Sequence, residues 1–213
     1  MSGREEQLKA VIRQMLRPLR DIPLDIIIEA ITERYTIWPY DGHALACLEA
    51  IAARALAAIN AHGIVSKRAN EVGNKCEPFV RRAIMDEGGT ADTPAAPSGQ
   101  RRAAGYPDIE AVIEDKPFYI EVKSYNARNV ETTQRSFYLS PSTDFKVTRD
   151  AYHLIFAFCI NDPEEVNGSR IYRASSYTII DARNLSCDVK FESNSDNRRL
   201  CGAPEMIVAR IDA

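Results

Sequence analysis

Asp108, Glu121 and Lys123 are the residues whose types and spacing offer chemistry. They lie in one stretch, Gly105-Tyr-Pro-Asp-Ile-Glu-Ala-Val-Ile-Glu-Asp-Lys-Pro-Phe-Tyr-Ile-Glu-Val-Lys123. In its second half Phe118, Ile120 and Val122 alternate with Tyr119, Glu121 and Lys123. That is the period of a strand, so Glu121 and Lys123 share one face. In its first half Ile109, Ala111 and Ile113 alternate with Asp108, Glu110 and Glu114. A hairpin turning at Asp115-Lys116 sets Ile113 opposite Phe118, Ala111 opposite Ile120 and Ile109 opposite Val122. On the other face Glu110 then meets Glu121, Asp108 meets Lys123, and Asp108 and Glu121 become diagonal neighbours. Carboxylate oxygens suit a hard cation, and magnesium usually combines one or two of them with several waters. Such a site binds a phosphate oxygen and activates water at neutral pH. A lysine beside it positions or deprotonates the water, or neutralises charge on the phosphate. Without a cation, carboxylates crowded together raise at least one pKa. The competing arrangement is an ordinary hairpin face with a cross-strand salt bridge. Glu110 in particular suits solvent better than a metal.

The elements around this stretch follow from periodicity. Leu8, Val11, Ile12, Met15 and Leu16 recur at helical spacing, and Pro18 ends the pattern. Pro23 opens a second helix through Leu24, Ile27, Ile28 and Ile31, and Asp41 caps an alanine-rich third one that Gly63 ends. Ser66 caps a fourth helix reaching about Glu87, with Val72, Cys76, Val80 and Ile84 as its apolar stripe and Asn70, Asn74, Glu77 and Arg81 as a polar one. Gly73 allows another backbone to approach that helix closely. Thr90 to Ala104 reads as a loop, with Arg101 and Arg102 near its end. After Lys123 comes a polar segment carrying Arg128, Gln134, Arg135, Lys146 and Arg149, with Tyr125, Phe137 and Tyr138 between them. Arg and Lys supply phosphate contacts, and Arg and Gln also read base edges. Tyr152 to Ile160 is a nearly continuous apolar run, expected as a central strand buried on both faces, with His153 a packed, hydrogen-bonded histidine. Ile171–Ile180 and Met206–Ile211 read as further strands, Asn167-Gly168 as a turn, and Asn194–Arg199 as a surface loop.

Composition sets bounds without naming a function. The 213 residues suffice for one core with a small appendage, and the net charge of -3 lacks the basic balance common in nucleic-acid binders, so basic groups would have to gather on one face. Five scattered cysteines form no CxxC pair, which points to a reducing compartment. The N-terminus lacks an apolar signal core and no stretch is long and apolar enough to span a bilayer, so the expected location is cytoplasmic.

Pro107-Asp108 followed by Glu121-Val122-Lys123 resembles the PD-(D/E)xK signature shared by many restriction endonucleases and by some repair, recombination and RNA-processing nucleases. The resemblance spans roughly residues 66–160. It implies an α/β fold: a restriction-endonuclease-like mixed central sheet flanked by helices, here with a helical N-terminal region. Residues 1–65 would serve packing or dimerisation, and 66–213 would form the nuclease core. It further implies that Asp108, Glu121 and the main-chain oxygen of Val122 ligate Mg2+, that Lys123 serves the water, and that a helix carboxylate, Glu77 or alternatively Glu71, faces the metal. The function implied is a type II restriction endonuclease cutting double-stranded DNA as a homodimer, with a DNA methyltransferase as companion. Alternatives on the same fold are a junction resolvase, a repair or defence nuclease, or a catalytically silent DNA-binding module.

Overall fold

Strand periodicity in residues 105–123 and the apolar run at 152–160 resolve into the centre of one mixed sheet. In the computed structural model, the described residues are 3–67, 71–101, 105–132, 137–139 and 144–191. The helices are α1 (Gly3–Met15), α2 (Leu24–Thr32), α3 (Leu45–His62) and α4 (Val72–Asp86). The strands are β1 (Leu19–Pro23), β2 (Ile64–Val65), β3 (Thr90–Asp92), β4 (Ile109–Ile113), β5 (Lys116–Tyr125), β6 (Tyr152–Ile160), β7 (Glu164–Val166), β8 (Ser169–Tyr172), β9 (Ala174–Asp181) and β10 (Ser186–Val189).

The central sheet has the order β3-β4-β5-β6-β9, with β5 and β6 parallel and the other pairs antiparallel. This is the mixed α/β sheet expected from the sequence. Every residue of β6 is buried, as its unbroken apolar run requires. The faces of β4 and β5 also follow the alternation. Ile109, Ala111, Ile113, Phe118, Ile120 and Val122 join Leu48, Ile51 and Ile59 of α3 and Val72, Cys76, Val80 and Ile84 of α4 in one core. Glu121 and Lys123 therefore leave β5 on the side away from that core.

The hairpin differs from expectation in its turn. Ile113 pairs with Lys116, Ala111 with Phe118 and Ile109 with Ile120, so the turn is Glu114-Asp115. Both turn residues have positive φ, 46° and 63°, the twist that a two-residue hairpin between right-twisted strands favours. Each partner shifts by two residues relative to the expected register. An even shift leaves every side chain on its face, so Asp108 keeps the side of Glu121.

Other boundaries moved for physical reasons. Ser66 does not cap α4: its hydroxyl donates to Glu71 at 3.0 Å, and the helix runs Val72–Asp86 with Glu71 as the flanking residue. Asp41 receives the His43 N–H at 3.0 Å, and α3 starts after Ala44. Pro23 does precede α2, and Gly63 does end α3, at φ +70°. The Thr90–Ala104 loop opens with a short edge strand, β3, whose pairing with β4 lies beyond local periodicity. The expected strand Ile171–Ile180 is two, β8 and β9, in different sheets; β8 belongs to the small sheet β2-β8-β7. Asn167 and Gly168, both at positive φ, turn β7 into β8. The expectations for Met206–Ile211 and Asn194–Arg199 lie outside the described residues.

By length and composition α3 is long and apolar enough to cross a membrane, contrary to expectation. Its Leu48, Ile51, Ala52, Ala55 and Ile59 are fully buried in the core, which accounts for the apolarity within a folded domain. Among the described residues, contacts group those within Pro23–Ser186 into one compact unit, and those within Met1–Ile22 and Cys187–Ala213 into another. The smaller unit contains α1, which buries no side chain, and the pairing of β1 with β10.

Candidate active site

Asp108 sits where the chain enters β4, and Glu121 and Lys123 lie within β5. Adjacent antiparallel segments bring the three together. The Val122 N–H donates to Asp108 Oδ2 at 2.8 Å, so the aspartate side chain crosses to β5 between the other two residues. Lys123 Nζ is 2.6 Å from Glu121 Oε1. Glu121 is only 3 % exposed, and its second oxygen, Oε2, has no hydrogen-bond partner among the described residues. Burial, then the neighbouring Asp108 charge, push the Glu121 carboxyl up to about 7, against the opposing pull of Lys123 and Lys146. The site thus holds two neighbouring carboxylates, with one buried oxygen that no described residue satisfies.

The hard-oxygen donors suit a divalent ion, and the unpartnered Glu121 oxygen is an acceptor that such an ion would satisfy. Among the described residues no group of three or more His, Cys, Asp or Glu side chains comes together as a ready-made cage.

The α4 contribution has a feature that sequence reading missed. Glu77 is paired with Arg81 one turn on, at 2.7 Å, and Arg81 also donates to the Asp108 main-chain oxygen at 2.9 Å and to Thr93 Oγ1 at 3.1 Å. Arg81 thus ties the helix carboxylate to the Asp108 backbone. Its place four residues after Glu77 on the polar stripe was the available signal. Glu77, Asp108 and Glu121 all act electrostatically on Lys146, whereas Glu71 is engaged by Ser66. The close approach expected at Gly73 is present: a Cβ there would stand 3.3 Å from Ser124 Oγ, so α4 packs against β5 just past Lys123.

The basic residues expected at DNA separate into groups. Arg101 is half-exposed and pairs with Asp92 at 2.9 Å. Arg128 is well exposed and pairs with Asp162 at 2.6 Å. Arg149 is exposed and pairs with Glu110, which accordingly has a partner other than a metal. Arg102, Gln134 and Arg135 lie outside the described residues. Lys146 differs from the others: it is 6 % exposed, and its ammonium donates to the main-chain oxygens of Gly105 and Pro107, at 2.5 and 2.7 Å. Burial of this kind leaves the ammonium little surface for a phosphate. Its pKa is lowered by burial, with Asp108, Glu121 and Glu77 opposing.

His153 is fully buried, as expected of a packed histidine. Its Nδ1 is 2.5 Å from Tyr106 Oη, while Nε2 has no partner among the described residues. Burial pushes its pKa down to about 3, so the ring stays neutral.

No solved structure matches the chain. It is 33 % identical, over 92 % of its own length and 91 % of the relative's, to the type II restriction enzyme MjaV of Methanocaldococcus jannaschii. Residues 19–203, which include every element of the site, match the type II restriction enzyme MjaV family, and the chain belongs to that family.

Proposed function

We propose that the protein is a type II restriction endonuclease that hydrolyses phosphodiester bonds of duplex DNA in a Mg2+-dependent reaction, with Asp108, Glu121 and the Val122 carbonyl as metal ligands, Lys123 as the residue serving the water, and Glu77 as the helix carboxylate. Family membership supports restriction of DNA. The observation that carries the site is the Glu121 carboxylate, buried beside Asp108 with one oxygen unpartnered among the described residues and the other held by Lys123. A bound divalent ion would supply Lewis acidity toward the phosphate and toward water. Lys123 is partly exposed, so its ammonium reaches from Glu121 toward the side where substrate arrives and can orient the water or offset charge on the phosphate. The Val122 amide keeps the Asp108 carboxylate turned toward β5. Attack of water on phosphorus breaks the bond to the 3′ oxygen, giving a 5′-phosphate and a 3′-hydroxyl.

Within this reading residues 66–213 carry catalysis and residues 1–65 packing or subunit association. A two-fold homodimer would match the symmetry of a palindromic site and cut both strands. A companion methyltransferase would protect host DNA.

Incubation with plasmid and Mg2+ tests the function: discrete fragments are expected, and plasmids of several sequences left intact would overturn it. Lys123→Ala should lower turnover by about 10²-fold or more while duplex affinity changes little, measured by single-turnover cleavage against binding in EDTA. Arg128→Ala should weaken duplex binding several-fold at low salt and make the salt dependence shallower by about one charge; identical binding isotherms would place Arg128 off the duplex.

A further inference from the structure

We infer that Lys146 is a positioning residue, which fixes the turn carrying Asp108 and thereby sets the carboxylate against β5. The inference rests on the active site proposed above. Four observations carry it. The Lys146 ammonium is buried and donates to the Gly105 and Pro107 carbonyls, on the three residues that lead directly into Asp108. Tyr106, between those two carbonyls, is itself anchored inside the fold by His153 of β6 and by an edge-on contact with the Phe137 ring, centroids 5.2 Å apart. Asp108 next contributes its own carbonyl to Arg81 and its side chain to the Val122 amide. The main-chain carbonyls of Gly105, Pro107 and Asp108 are thus held by side chains, just ahead of the sheet: the first β4 residue in register is Ile109.

A lysine offers three donors on one point charge, so it can hold two carbonyls of a tight turn at once. Lys146 follows the polar segment after β5, and Val147 beside it is buried, while the Thr148 N–H donates to Tyr119 Oη at 2.9 Å. That attachment fixes the lysine backbone to the same strand that bears Glu121. The turn and the glutamate are therefore positioned from one scaffold. Groups that orient a metal's ligands commonly matter for affinity by 10–100-fold without touching the metal.

Hydrogen exchange in the metal-free protein reads this directly, because the Val122 amide is protected by Asp108 Oδ2. In Lys146→Met the Val122 amide should exchange about tenfold faster, while amides of Phe156 and Phe158 in β6 keep wild-type rates. Calorimetric titration with Mn2+ should show affinity lowered about 10–100-fold. On plasmid with Mg2+, kcat should fall with KM unchanged, and binding of a duplex oligonucleotide in EDTA should keep its affinity and salt slope. Lys146→Gln, which retains donors for the carbonyls without the charge, should lie between wild type and Met in exchange and Mn2+ affinity; it decides the matter if the Met variant does not fold. Unchanged Val122 exchange would overturn the inference. So would a loss of duplex affinity with a shallower salt slope and unchanged Mn2+ binding, since Lys146 would then be a phosphate contact. Failure of the nuclease reading is a separate result: wild-type protein that neither binds Mn2+ nor cuts plasmid, whatever the exchange data show.

Discussion

Glu121→Gln is expected to abolish cleavage while making the metal-free protein more stable above pH 7. The two outcomes share one cause. Glu121 is buried beside Asp108 and its carboxyl is pushed up to about 7, so ionising it in the folded state is costly. The cost is absent below the unfolded pKa, where the group is neutral in both states. It accumulates as pH rises from 4.5 and is complete above about 7. A shift of this size corresponds to a burden on the order of 3 kcal/mol. Glutamine keeps the shape and removes the charge, so melting temperatures at pH 8 should rise relative to wild type, and the difference should vanish near pH 4. Cleavage should fall by about 10³-fold or more, because a neutral amide is a poor ligand and leaves the phosphate charge uncompensated. Asp108→Asn should lose cleavage to a similar extent, with its Oδ still able to accept from the Val122 amide. Retained cutting in either variant would remove that residue from the metal site.

Between pH 7 and pH 5 the affinity of the protein for a divalent ion should fall by about two orders of magnitude. A cation has to displace the proton that Glu121 holds below its raised pKa, and each pH unit in that window weakens binding by about tenfold. Above pH 7 the group is already ionised and the dependence should flatten. Calorimetric titration with Mn2+ at several pH values, in buffers of different ionisation heat, would count the protons released. Binding that is independent of pH from 5 to 7 would mean that Glu121 is not a ligand.

The basic residues show why a polar segment is hard to read. Arg128, Arg149 and Lys146 stand in the same polar stretch of chain, yet two are exposed and one is enclosed. A lysine flanked by polar residues has no local mark that separates a solvated ammonium from one that supports a turn. Arg81 is a related case. Its pairing with Glu77 follows from i,i+4 spacing, but its bond to the Asp108 carbonyl depends on where α4 lies against the hairpin.

What residue order determined by itself was orientation: which side chains of 108–123 share a face, that 152–160 is buried on both sides, that α2 begins after Pro23 and α3 ends at Gly63. These follow from periods of two and 3.6 and from backbone preferences, all short-range properties of the chain. What only the tertiary structure decided was adjacency: the Glu114-Asp115 turn, the parallel pairing of β5 with β6, the β3 edge, the Tyr106–His153 contact and the burial of Lys146. Those depend on which distant segments come to lie side by side. Packing of the whole core settles that, and no window of local sequence contains it.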